Sequence, residues 1–253
     1  MSGVSSVTST SNYYSSIASG VSLQSAADGA AELAIAEVAE TQVNSYDVGN
    51  NNVQSAQSVL NIEDAALESI TDYLQQIREL SLQASNDTLS ASDKQAIQEE
   101  INQLKEGIED VANTTNYNGI SLLDGSEDDL KLATDGNGST AAVSTYNSTL
   151  EALGIADYDV TGDFDISTID DALDTVSSMR SETGATSNSM SHIYAYNSMA
   201  SYNQSRVLSQ LEDTDYSEAV SEMKKQAVLD TYRLMMQKKQ QEDEKEKANV
   251  MFD

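Results

Sequence analysis

The sequence predicts a mainly α protein: an elongated antiparallel helical bundle or coiled-coil rod drawn from both chain ends, with a small irregular or β-containing middle. Three observations lead there. None of the 253 residues is proline, so the commonest helix breaker is missing. Val53, Leu60, Leu67 and Leu74 recur every seven residues, and Ala56, Ile70, Ile77 and Ala84 hold the position three further on, which is the a/d signature of a helix seam. The helical period then lapses across residues 113–165 and returns at Ile166.

Taken in order, residues 1–24 are rich in Ser and Thr and carry no charged side chain. With few large apolar groups they read as disordered in isolation. From Ala26 to Asn44 the chain is alanine-rich, and Leu33, Ile35, Val38 and Gln42 suit a helix. Gly49-Asn50-Asn51-Asn52 interrupts the apolar pattern without requiring a break. The a/d seam that follows is weakened only at Glu63 and Ser81. A helix from Tyr46 to Ser85 would be about 60 Å long at ~1.5 Å per residue.

Asn86-Asp87-Thr88 reads as a loop, with Ser92 and Gln95 as a capping box for the next helix. There Ile97, Leu104 and Val111 alternate with Ile101 and Ile108. Two helices joined by so short a loop should fold back as an antiparallel hairpin. In the middle, residues 130–134 and 141–146 read as strands flanking the turn Asp135-Gly136-Asn137-Gly138. The helical pattern resumes through Ile169, Leu173, Val176 and Arg180, passes Gly184, and continues by Met190 and Ile193 to Leu208 and Leu211. A last stretch carries Val220, Met223, Ala227, Leu234 and Met235, then enters residues 237–247, which have no apolar face. Pairs such as Lys238–Glu242, Lys239–Asp243 and Asp243–Lys247 would support a solvated helix there. The C-terminal helix needs a core partner and would find it on the N-terminal hairpin, so neither half should be stable alone.

Composition narrows the function. Forty-two acidic against thirteen basic residues give a net charge of −29, which argues against nucleic acid and anionic membrane surfaces as partners. The first 77 residues hold no Lys or Arg, while seven of the thirteen bases lie between Lys224 and Lys247. Without cysteine and with His192 as the one histidine, there is no thiolate chemistry and no two-histidine zinc motif. His192 has no partner predictable from spacing. The carboxylate pairs Glu99/Glu100 and Asp213/Asp215 read as solvated faces or a helix cap. No apolar run reaches the 18 residues of a membrane span, and no Sec-type signal is visible. The expectation is therefore no catalytic, cofactor or metal site and no enzyme.

Several segments are specific in combination. Residues 78–88 (RELSLQASNDT), 99–119 (EEINQLKEGIEDVANTTNYNG) and 122–125 (LLDG) closely resemble the N-terminal region of bacterial flagellins. Residues 25–35 (SAADGAAELAI) are similar to the same family's SAADD segment, and residues 209–223 (SQLEDTDYSEAVSEM) to its C-terminal pattern. There are departures. Ser22, Gly29 and Glu32 stand where the family has Arg, Asp and Gly, fewer residues precede Ser25, and a charged segment replaces the family's apolar C-terminal end.

The resemblance implies the following division: a disordered segment (1–24), the N-terminal half of a flagellin-like helical rod (25–125), a short variable middle (126–165), the C-terminal half of the rod (166–236) and a charged extension (237–253). It implies a non-catalytic structural protein, secreted by the flagellum-specific route to the bacterial flagellum. The implied partners are other flagellin subunits or flagellar proteins, the flagellin export chaperone, and the host innate-immune receptor for flagellin. Receptor contacts carry over to Gln76, Leu80 and Glu100, with Gln76 at a position that is usually Arg. Three function classes stand at this point: a filament subunit, a hook–filament junction protein, and a non-polymerising relative acting as a binding module. The altered ends favour the last and lead to the expectation that the isolated protein stays monomeric.

Overall fold

The computed structural model describes residues 14–252, except Gln24, Asp128 and Asn137. The expected disorder of residues 1–24 therefore lies, for 1–13 and Gln24, outside the described residues, and the expected turn at 135–138 is described only in part. Residues 14–19 are helical. Among the described residues there follow four long helices and two β-hairpins: α1 (Ala26–Ala84), α2 (Ala91–Thr114), β1 (Asn116–Tyr117), β2 (Ile120–Ser121), β3 (Leu130–Ala133), β4 (Thr140–Val143), α3 (Ser167–Glu212) and α4 (Tyr216–Phe252). The chain is mainly α with a small strand-containing middle, as the heptads and the lapse at 113–165 predict. It divides into two units, one of residues up to Val43 and from Tyr202, the other Asn44–Ser201.

The Asn44–Ser201 unit holds the core of large side chains. Val53, Leu60, Leu67, Leu74, Ile70 and Ile77 on α1 are buried together with Ile101 and Ile108 of α2 and Ile169, Val176 and Met190 of α3. Helix α3 runs antiparallel to α1. Arg78 pairs with Asp170 at 2.6 Å and Arg180 with Asp64 at 3.0 Å. Gln57 meets Ser191, Gln54 meets Tyr194, Asn50 meets Ser198, and Ser201 donates to Asp47. Each step along one helix is matched by an opposite step along the other. Besides Ala172, the buried positions of α3 fall at Ile169, Val176, Thr183, Met190 and Asn197, an unbroken seven-residue period with polar residues at two of its points.

Two expectations about local structure are corrected. The capping box of α2 is Ser90 with Asp93, not Ser92 with Gln95: the Ser90 hydroxyl accepts from Asp93 N–H, and the Asp93 carboxylate accepts from Ser90 N–H. An aspartate at the third helical position closes the reciprocal pair as well as Glu or Gln would, and the hydroxyl and then the N–H of Ser90, both donating to its carboxylate, hold it below its ordinary pKa. In α2 the fully buried stripe is Ile97, Ile101, Lys105, Ile108 and Ala112, while Leu104 and Val111 lie half-buried beside it.

The middle segment packs onto these helices. Asn118 and Gly119 both have positive φ, the Asn-Gly turn that closes the β1–β2 hairpin. The strands β3 and β4 pair antiparallel, Leu130 opposite Val143 and Ala133 opposite Thr140, where the alternation at 130–134 and 141–146 predicts them. Their turn docks against α1 at Gly49. A Cβ there would lie 2.7 Å from the carbonyl carbon of Thr134 and closer still to its oxygen. Asn197 of α3 donates to that same oxygen at 2.7 Å, and Asn52 donates to Ala133 O at 2.9 Å. The Gly-Asn-Asn-Asn interruption is thus the seat of the hairpin, and α1 stays helical through it. Further on, buried Lys105 donates to Ala156 O and Tyr158 O, and Gln98 bonds Val160 N–H and Tyr158 O. These contacts bring Ile155, Tyr158 and Val160 into the core.

The other unit is built differently. Among its described residues the buried apolar side chains are all alanines: Ala36, Ala39 and Ala219. Val21 bridges Asp213, Thr214 N–H donates to Gly20 O at 2.9 Å, the Tyr216 hydroxyl donates to Ile17 O at 3.0 Å, and Gln42 meets Gln204. The backbone leaves helical geometry at Gly29 within α1.

Candidate functional site

Among the described residues, no group of three His, Cys, Asp or Glu side chains could hold a metal ion. The functional question is therefore which surfaces the helices present. Gln76 and Glu100 are exposed, and Leu80 is half-buried against the core. Gln76 and Leu80 stand one turn apart on α1. Tyr73 of α1 packs its ring where a Cβ on Gly107 of α2 would lie, 3.1 Å away. Two turns along this antiparallel pair, the residue reached on α1 is Leu80 and on α2 Glu100. His192, Glu99, Asp213 and Asp215 are exposed. Asp215 accepts from the N–H groups of Ser217 and Glu218 and so caps α4, the role expected for a carboxylate there.

Helix α4 carries a surface that periodicity alone could not interpret. On a 3.6-residue turn, Ala219, Met223, Gln226 and Asp230 share one face, and each is buried or half-buried. Val228, Leu229, Tyr232, Met235 and Met236 share the roughly opposite face. They are 68%, 41%, 63%, 64% and 44% exposed. The helical pattern predicts that Leu234 and Met235 belong to a stripe with a core partner within the chain, but both are exposed. Among the described residues the ion pairs on α4 are Lys225–Glu222 at 3.0 Å and Arg233–Asp230 at 3.3 Å, not the pairs expected at residues 238–247.

Sequence reasoning also passed over a buried polar layer in the Asn44–Ser201 unit. Glu63 is fully buried and neither carboxylate oxygen has a hydrogen-bond partner. Burial raises its pKa to about 8. Thr183 is buried on α3 and donates to Met179 O, with its hydroxyl 3.4 Å from that of Tyr146. Burial also pushes the Tyr146 hydroxyl upward. The signal for this layer was present in the sequence as the weak point of the α1 seam, and its α3 half was hidden because Thr183 is polar.

Comparison with known proteins accounts for this arrangement. The bacterial flagellin N-terminal helical region matches residues 3–128, and the bacterial flagellin C-terminal helical region matches residues 166–243. The flagellin of Halalkalibacterium halodurans is 31% identical over 221 residues, covering 84% of this chain and 81% of its own. The flagellin of Clostridium tyrobutyricum is 38% identical over 148 residues, 56% of this chain, and the chain spans 39% of that relative's length. The crystal structure of Bacillus cereus flagellin superposes with a TM-score of 0.50 at 28% identity, over 58% of this chain and 88% of that one. Both ends of the sequence match in the family's order, and the C-terminal match includes the exposed apolar face of α4. The chain belongs to the bacterial flagellin family, whose members are structural proteins of the flagellum and not enzymes.

Proposed function

We propose that this chain is a subunit of the flagellar filament and that the exposed stripe of α4 is buried against neighbouring subunits. The stripe is the observation that carries the reading. Full burial of side chains of this kind from full exposure contributes about 1.5–3 kcal/mol each, so five that are roughly half exposed supply about 4–8 kcal/mol toward association. The expectation of a monomer rests on both ends: a short, Ser-rich N-terminal segment without an apolar stripe, and residues 237–247, whose charged groups would be costly to bury. The stripe lies ahead of that segment and lets assembly proceed with the charges left in solvent. A net charge of −29 opposes association, but at physiological ionic strength it is screened beyond about 8 Å. Mass spectrometry of filaments sheared from the source cells should find this chain in the filament fraction. Its confinement to the cell body would overturn the reading.

Two finer partners belong to the same proposal. The apolar face of α4 is suited to a flagellin export chaperone before assembly, since it would otherwise travel uncovered. The face formed by Gln76, Leu80 and Glu100 is the candidate contact for the host innate flagellin receptor, supported by the RELSLQ match and by the exposure of Gln76 and Glu100.

A further inference from the structure

We propose that the Glu63–Thr183–Tyr146 layer is an alkali-sensitive latch between α1 and α3, closed while Glu63 is protonated and loosened when it ionises. The geometry is that of a neutral acid. Glu63 occupies a d position between Leu60 and Leu67, both at most 2% exposed, and is itself 0% exposed. Its two oxygens make no hydrogen bond, which a carboxylate in so apolar a seam could not sustain. No cation faces it among the described residues. Arg180, the base on the neighbouring stretch of α3, is engaged at the surface by Asp64 at 3.0 Å and Glu68 at 3.9 Å. The group that bears on it is Tyr146, from the segment after β4, and Thr183 of α3 places its hydroxyl 3.4 Å from that of Tyr146. Glu182 and Asp129 also bear on Tyr146, and both would repel a new negative charge. Ionisation therefore finds neither a counter-ion nor a full set of donors, and the route to relief is to part the helices and admit water.

The sign follows from linkage. In the unfolded chain Glu63 ionises near its ordinary 4.5; in the fold it holds its proton to about 8. Between these values the folded state binds a proton that the unfolded state has released. Each pH unit then lowers the folding equilibrium constant about tenfold, and the loss levels off above the folded value.

The test compares the full-length protein with Glu63→Gln and Glu63→Leu. Glutamine keeps the shape and polarity but cannot ionise. In urea unfolding, the ratio of folding constants, Glu63→Gln over the parent, should rise about tenfold per pH unit from about 5 to 8 and then stay level. Amide protection at 59–67 and 179–187 should fall with pH in the parent and not in either variant. A ratio that does not change with pH would overturn the latch. So would a carboxyl-carbon NMR titration placing Glu63 near 4.5 in the folded protein.

Discussion

A single methyl group at position 49 decides whether the β3–β4 hairpin can dock. The obstacle to a side chain there is backbone, the Thr134 carbonyl, which cannot rotate away as a side chain could. Alanine normally improves a helix by about 1 kcal/mol over glycine, and Gly184 in α3, with open space where its Cβ would go, should follow that rule. Gly49→Ala should instead destabilise by about 1–3 kcal/mol as the hairpin is displaced. Thermal or urea unfolding of the two variants checks the contrast in sign. Equal stabilisation by both would mean that the hairpin does not need its seat. The same residue-level logic separates the two interruptions of the α1 seam. Ser81 satisfies its hydroxyl on Ile77 O one turn back, whereas Glu63 has no such option and becomes the titrating group.

Among the elements, α1 is the most legible, because all its a and d positions from Val53 to Ala84 except Glu63 and Ser81 are Leu, Ile, Val or Ala. Helix α3 was read only in part. Its heptad runs through Thr183 and Asn197, whose burial depends on partners from elsewhere in the chain, Tyr146 and the Thr134 carbonyl. No local pattern announces such contacts. Lys105 was hidden for the same reason: it is buried because the loop at 156–158 offers it two carbonyls. For α4 the limit was different, since periodicity reveals an apolar stripe but not whether its partner lies in the same chain. The candidate receptor face belongs to α1 and α2 and yields its own prediction. Gln76 is exposed, so Gln76→Arg should fold unchanged and gain a charge-assisted hydrogen bond. Such a bond is worth about 1.5–3 kcal/mol, or roughly a 10- to 150-fold tighter dissociation constant. Surface plasmon resonance with the host receptor ectodomain reads it, and an unchanged constant would remove Gln76 from the contact.

At the scale of the whole molecule, the two units differ in what holds them. The Asn44–Ser201 unit has a continuous core of large side chains. The other buries only alanines among its described residues, while it exposes Ile35, Val38 and the α4 stripe. Such a unit has little reason to resist local opening on its own. In the free protein, backbone amides of residues 26–43 and 216–236 should exchange far faster than those of 53–77. Hydrogen-exchange mass spectrometry would show comparable protection across both units if this imbalance were unimportant. Assembly should then slow exchange in the alanine-built unit specifically.

The most direct test of the filament reading follows from that stripe. Purified protein is seeded with flagellar fragments at low and high salt, alongside a Tyr232→Asp/Met235→Asp variant, and sedimented and imaged by negative stain. The parent chain should form sedimenting filaments, more readily at high salt where repulsion is screened, and the variant should stay in the supernatant with its α1–α3 core intact by circular dichroism. A parent chain that remains monomeric in both salts, or a variant that assembles as well as the parent, would contradict the account.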